Sequence, residues 1–238
     1  MEYTTSHRLA SSLEVQRSFL RNVIDKCFEL LPKGKIKILD SGCGDGLFSV
    51  VLKEYFPDAE IISIDLDDNS LKDAKTKGLT VIKADLQKNL PFDDDFFDLI
   101  VSNQVIEHLL NPDIYLLENK RVLKKSGVLL LTTPNLAAWF NRIIFLFGVQ
   151  PFFYETSTVD KTVGLSFTRS LTPMREPMQH IRVFTAGALT DITQLHGMKV
   201  VKKIGLPIHY FPKIVRFFDY FISKIPSLAA NLEVIIKK

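Results

Sequence analysis

A short apolar strand that runs straight into a glycine-studded turn constrains this chain more than any other feature. Ile36-Lys37-Ile38-Leu39 reads as a buried strand, Asp40-Ser41-Gly42-Cys43-Gly44-Asp45-Gly46 follows as a turn, and residues 47–56 then take up helical periodicity. Alternate glycines open positive φ to the backbone and let a ligand come close to the main chain. The strand-then-helix rhythm continues downstream. Residues 61–64 predict a strand, 69–77 a helix closed by Gly78, 79–83 a strand, and 97–101 a strand behind the acidic turn Asp93-Asp94-Asp95. A helix over 112–124 and a strand over 128–132 complete the series. Alternation at this pitch builds βαβ units on a parallel sheet, which takes its ligands at the carboxyl ends of its strands.

The rhythm breaks after Thr133-Pro134-Asn135. The next clear helix covers 186–196, with Thr185 as its N-cap and Gly197 as its stop. Residues 198–204 and 232–236 read as closing strands, and 211–225 as a helix with Lys213, Arg216, Asp219 and Ser223 on a narrow polar stripe. Ahead of the first strand, residues 12–31 form an amphipathic helical pattern ended by Pro32-Lys33-Gly34. Of the 25 aromatic residues, 15 fall between Trp139 and Phe221, so a lean α/β core is followed by an aromatic-rich part. The expected organisation is one domain over 1–238, with a cap or lid at 135–180 and an apolar helical segment at 206–228.

With 46% hydrophobic and 24% charged residues, the composition is that of a folded globular chain. The net charge of +3 has no dense Lys/Arg run behind it, which argues against a nucleic-acid stripe. The first residues lack the apolar core of a secretory signal, and the strongest apolar stretch, 128–149, is broken by Pro134, Asn135, Asn141 and Arg142. A reduced, cytoplasmic setting is expected for Cys27 and Cys43, with peripheral membrane contact left open.

Charge selects the ligand of the glycine turn. The dinucleotide fingerprint is G-x-G-x-x-G with a pyrophosphate on the helix N-terminus. Here the turn is G-x-G-x-G, with Asp40 before it and Asp45 inside it. Carboxylates repel a pyrophosphate and attract a cation. S-adenosylmethionine carries an ammonium and a sulfonium and no phosphate, so it fits better than a nicotinamide dinucleotide. Asp65, at the end of the second strand, stands where an acid reaches a ribose hydroxyl, although Asp65-Leu66-Asp67-Asp68-Asn69 also reads as a helix cap. Asp85, at the end of the third strand, has the adenine edge or a plain turn as its readings.

At these residues the sequence resembles the class I S-adenosylmethionine-dependent methyltransferases, nearest to the small-molecule branch of quinone and glycan methyltransferases. Leu39 to Gly46 resembles that family's first motif, Ser63-Ile64-Asp65 its second-strand acid, and Lys83-Ala84-Asp85-Leu86 its third strand. Phe96 to Ile100, Val105-Ile106-Glu107-His108-Leu109 and Val122 to Gly127 continue the match in order. The resemblance implies a Rossmann-like seven-stranded sheet of order 3-2-1-4-5-7-6, strand seven antiparallel, with helices on both faces and a cap inserted after strand five. It implies cofactor contacts at Asp40, Gly42, Gly44, Asp65, Leu66, Asp85, Leu86 and Asn103. Ser102-Asn103-Gln104-Val105 stands where DNA amino-methyltransferases carry their signature, so a DNA partner is not expected, nor is RNA.

Methyl transfer asks mainly for alignment, helped by a general base when the acceptor is a hydroxyl. His108, just past strand four, has the chemistry of a base, with a helix-start role as its alternative. His180 opens His180-Ile181-Arg182-Val183-Phe184-Thr185, where His180 faces substrate and Arg182 binds an anion, or both hold the cap. His7, His196 and His209 have no ligand-like spacing, and no metal site is expected. The reading is methyl transfer from S-adenosylmethionine to a small or lipid-linked acceptor, oxygen favoured. A non-catalytic cofactor-binding or membrane-adaptor protein and a nicotinamide-dependent oxidoreductase are the rivals.

Overall fold

The computed structural model describes residue 24 and residues 27–168, 176–208 and 212–238. Seven strands, β1 (Lys37–Ser41), β2 (Glu60–Asp65), β3 (Thr80–Lys83), β4 (Phe97–Asn103), β5 (Leu123–Pro134), β6 (Lys199–Leu206) and β7 (Asn231–Lys237), form one sheet in the order β3-β2-β1-β4-β5-β7-β6. This is the expected order. Pairing is parallel for β1 with β2, β1 with β4 and β2 with β3, and Asp40 pairs in register with Ser63 on one side and Val101 on the other. The flanking helices are α1 (Leu47–Tyr55), α2 (Asp68–Thr76), α3 (Pro112–Val122), α4 (Trp139–Leu146), α5 (Ala186–Leu195) and α6 (Lys213–Ile222).

The chain divides into two compact units, the first comprising Met1–Asn103, Ile114–Leu130 and Lys237–Lys238, the second Gln104–Asp113 and Leu131–Ile236. In the first, Ile38, Leu39, Ile64, Leu99 and Ile100 are fully buried, as expected for strands covered on both faces. Arg121 on α3 ties down the turn before β4: it binds Glu118 and Asp94 and donates to the carbonyls of Phe92 and Leu90. The expected helix over 12–31 lies outside the described residues except for Ile24 and residues 27–31, where Phe28–Leu30 forms a single 3₁₀ turn.

In the second unit, Asn135 holds the point where the sequence rhythm breaks. It is fully buried; its backbone N–H donates to Ala230 O at 2.9 Å and its side-chain amide to Ala229 O at 2.8 Å. Ala138, Phe140 and Ala230 form a small core, with Trp139, Phe152, Phe153 and Ile208 packed around it. Part of the aromatic run is therefore ordinary packing. The Thr185 hydroxyl accepts from Ala188 N, the cap expected for α5.

The expected helix over 211–225 is α6, while Phe211 itself lies outside the described residues. Its polar stripe is not a solvated face throughout. Asp219 is fully buried and accepts from Trp139 Nε1 at 2.8 Å and from Ile208 N at 2.7 Å, and Ser223 is buried as well. The helix therefore turns apolar residues outward: Ile214, Phe217, Phe218, Tyr220 and Phe221 are all at least half exposed. Among the described residues, no helix is long and apolar enough to cross a membrane.

Candidate functional site

The first unit builds its candidate site at the carboxyl ends of β1, β2 and β3. Gly42 N and Cys43 N both donate to Ile64 O at 2.9 Å, so the turn after β1 folds over the end of β2. Gly44 sits at φ +53° and a Cβ there would meet nothing within 4 Å, so open space faces the backbone at the middle glycine. Gly46, at φ +81°, differs: a Cβ would lie 2.9 Å from that of Ala74. The third glycine is required by packing on α2.

Asp65 does not cap the helix that follows it. Its Oδ2 accepts from Gly44 N at 2.8 Å and its Oδ1 from Asp67 N at 3.0 Å. The cap of α2 is Asp67, whose carboxylate accepts from Ser70 N. The second-strand acid and the glycine turn are thus one hydrogen-bonded assembly. Leu66 beside it is exposed, an apolar surface at the strand end.

Asp40 lies beneath the turn, 1% exposed, and accepts from the Ser49 hydroxyl of α1, which also contacts the Ser63 hydroxyl at 2.9 Å. Burial pushes its carboxyl up to about 7; the Ser49 hydrogen bond works against this and the Asp65 charge adds to it. Burial and the same two acids push the Cys43 thiol up to about 12, so it is inert near neutral pH. Asp85 closes its own turn, accepting from Gln87 N at 3.0 Å and pairing with Lys88 at 3.2 Å, and the Gln87 hydrogen bond holds it below the usual carboxylate range. Leu86 is buried, and Asn103 ends β4.

The second unit brings His108 and His180 together, with ring centroids 5.0 Å apart. Backbone hydrogen bonds latch their two segments: Glu107 O accepts from Ile181 N at 2.8 Å and from Arg182 N at 3.0 Å. His108 Nδ1 lies 3.2 Å from Gln179 O and His180 Nδ1 3.0 Å from Phe153 O. Burial lowers the pKa of His180, partly offset by the Phe153 carbonyl. The Arg182 side chain donates to Leu110 O at 3.1 Å, which fits the holding role. His196 pairs with Asp113 at 2.8 Å, and His7 and His209 lie outside the described residues.

Two acids emerge here that the sequence assigned no role. Glu107 is fully buried, accepts from the Thr133 hydroxyl at 3.0 Å, and is pushed up to about 7 by burial. Glu155 accepts from the backbone N–H groups of Met178 and Gln179, both at 2.7 Å, and of His180 at 3.3 Å, and so shapes the loop that carries His180. Glu107 lies beside His108 in Val105-Ile106-Glu107-His108-Leu109, and nothing in the local sequence marks Glu155. In the same unit a cavity of about 450 Å³, mostly apolar, is lined by Leu136, Phe145, Pro151 and Tyr154 with Arg142 and Thr185 among its polar groups.

Residues 39–131 match the family described as a methyltransferase domain. The chain is 31% identical over 167 residues, 67% of its length, to the malonyl-[acyl-carrier protein] O-methyltransferase of Herminiimonas arsenicoxydans. It spans 64% of that relative and 42% of its Legionella pneumophila counterpart. A probable S-adenosylmethionine-dependent methyltransferase of Mycobacterium tuberculosis is 28% identical over 83% of this chain and 70% of its own. Among solved structures, a SAM-dependent methyltransferase from Archaeoglobus fulgidus superposes with a TM-score of 0.63 over the full length of both chains at 18% identity, a likeness of fold.

Proposed function

We propose, for a chain that belongs to the class I S-adenosylmethionine-dependent methyltransferases, that it moves the methyl group of S-adenosylmethionine to an oxygen of a small molecule. One observation carries the reading: Asp65 reaches back from the end of β2 to Gly44 of an acid-flanked glycine turn that has open space at its middle. In this reading Asp65 takes the ribose hydroxyls, Gly42 and Gly44 let the methionyl part approach the backbone, and Leu66, Asp85 and Leu86 meet the adenine. Asn103 contributes from the end of β4. Asp40, being buried with its carboxyl pushed up to about 7, offers the ligand no exposed oxygen, and a cationic ligand above the turn would favour its ionised form.

His108 and His180 are assigned to the acceptor. The oxygen preference draws support from the O-methyltransferases among the relatives. The test is incubation with methyl-labelled S-adenosylmethionine and extract from the source organism, followed by separation of lipid, soluble small-molecule and macromolecular fractions. Label in either of the first two, lost in Asp65→Ala, is the expected result. Label confined to protein or RNA would overturn the acceptor class.

A lipid-linked acceptor is favoured by α6. Its outward apolar face is rimmed by Lys213, Arg216 and Lys224, while its only acid, Asp219, faces inward. An apolar face with cations at its edge suits the boundary of an anionic membrane. Phe217→Ser with Phe221→Ser is expected to abolish cosedimentation with anionic vesicles. Equal sedimentation of the variant would remove the membrane from the account, and equal sedimentation of wild type with neutral vesicles would remove the cationic rim from it.

A further inference from the structure

The 3₁₀ turn Ile106–His108 and the segment 178–182 meet through the backbone, and three side chains converge where they do. We propose that Glu107, His108 and His180 bind one divalent first-row transition-metal ion. This goes beyond methyl transfer and departs from the expectation that the chain has no metal ligands. One carboxylate oxygen of Glu107 and one ring nitrogen from each histidine lie within 4.8 Å of one another. Ligands around a single such ion sit ~3.0–3.4 Å apart, given bonds of about 2.1 Å, so small side-chain rotations close the set.

The tautomers are arranged for ligation. Carbonyl oxygens only accept, so Nδ1 of His108 donates to Gln179 O and Nδ1 of His180 to Phe153 O. Each Nε2 then carries its lone pair. Donation of the second ring nitrogen to a carbonyl is how proteins orient metal-binding histidines. Glu107 supplies an independent observation. It is fully buried, its Oε2 accepts from Thr133, and its Oε1 has no hydrogen-bond partner. An unpaired buried carboxylate oxygen is costly, and a cation satisfies it. Glu155, which accepts from the N–H groups leading into His180, is the positioning residue for that ligand.

Two imidazoles and one carboxylate suit the Mn²⁺-to-Zn²⁺ series better than Mg²⁺, which prefers an all-oxygen shell. Three protein ligands leave coordination positions open. An acceptor oxygen bound there would be a stronger acid than in water; that use of the ion rests on the proposed methyl transfer, whereas the ion site itself does not.

The test reads metal and not methyl transfer. Chelator-stripped protein is titrated with Co²⁺ and followed by calorimetry and visible absorption. The expected result is one Co²⁺ per chain with ligand-field bands, and affinity at least tenfold weaker in Glu107→Gln and in His180→Ala. Near-ultraviolet circular dichroism, which reads the packed aromatic residues around Phe140 in the same unit, reports that these variants are folded. If a variant loses that signal too, wild-type protein decides: substoichiometric Mn²⁺ is expected to broaden the imidazole resonances of two of the five histidines. Absence of saturable Co²⁺ binding, unchanged affinity in both folded variants, or equal broadening of all five histidines overturns the site.

Discussion

Asp65 and Asp40 lie within one glycine-turn assembly and do different work. Asp65 is tied to Gly44 N at the end of β2, and in the proposed reading its loss is felt by the cofactor. Asp65→Ala is expected to weaken S-adenosylhomocysteine at least tenfold in calorimetry, about 1.4 kcal/mol, and an unchanged dissociation constant would displace it from the site. Asp40 is felt by the fold. Its native pKa of about 7 lies above its ordinary value of 3.8, because the charged form is buried. Below about pH 4 both native and unfolded chains hold the proton, and the acid contributes nothing to pH dependence. As pH rises from 4 towards 7 the unfolded chain releases the proton while the native chain keeps it, so stability falls; above 7 the curve is flat. The loss approaches ~4 kcal/mol as an upper figure, at about 1.4 kcal/mol per pH unit. The measurement is the difference in ligand-free unfolding free energy between wild type and Asp40→Asn at pH 4.5 and pH 7.5. Wild type should lose ground to the variant as pH rises, and parallel curves would contradict the buried, protonated acid.

At the scale of elements, α6 shows where a helical pattern stops short. Periodicity divides the helix into an apolar and a polar face but does not say which is inside. Asp219 settles it, because its carboxylate satisfies Trp139 Nε1 and Ile208 N at once. Asp219→Ala leaves both donors unpaired and is expected to destabilise the protein by ~2–4 kcal/mol in urea titration, from two hydrogen bonds to a charged acceptor. A change below about 0.5 kcal/mol, the ordinary range for surface substitutions, would mean the helix is held by something else. The same limit explains what was legible in the sequence. Strands β1 to β4 and the glycine turn could be read because local apolar runs and special backbone conformations are written locally. Strand β5 starts at Leu123, earlier than its apolar run suggests, and Lys124 is held there by Asp98 at 2.8 Å, a contact no local pattern contains. The carboxylates of Glu107 and Glu155 follow the same rule, since their partners, the Thr133 hydroxyl and the N–H groups of 178–180, are distant in sequence.

At the scale of the molecule, the division of labour between the two units is itself testable. The residues assigned to the cofactor, Asp40 to Gly44, Asp65 to Leu66, Asp85 to Leu86 and Asn103, all fall in the first unit, and the histidine pair with its two supporting acids falls in the second. Substitutions in sets that share no hydrogen-bond partners should act on different measured quantities and combine additively. His108→Ala is therefore expected to lower the turnover number at least a hundredfold, the usual contribution of a positioned acid–base group, while S-adenosylhomocysteine affinity stays within about twofold. That outcome holds whether His108 acts as a base or as a metal ligand, because both roles lie on the acceptor's side of the reaction. Combined with Asp65→Ala, it should leave cofactor affinity where Asp65→Ala alone puts it. If His108→Ala weakens the cofactor as strongly as Asp65→Ala does, the histidine belongs to cofactor binding and the assignment by unit fails. If turnover is untouched, the pair is a latch between two segments of one unit, and the acceptor chemistry must be sought among other residues.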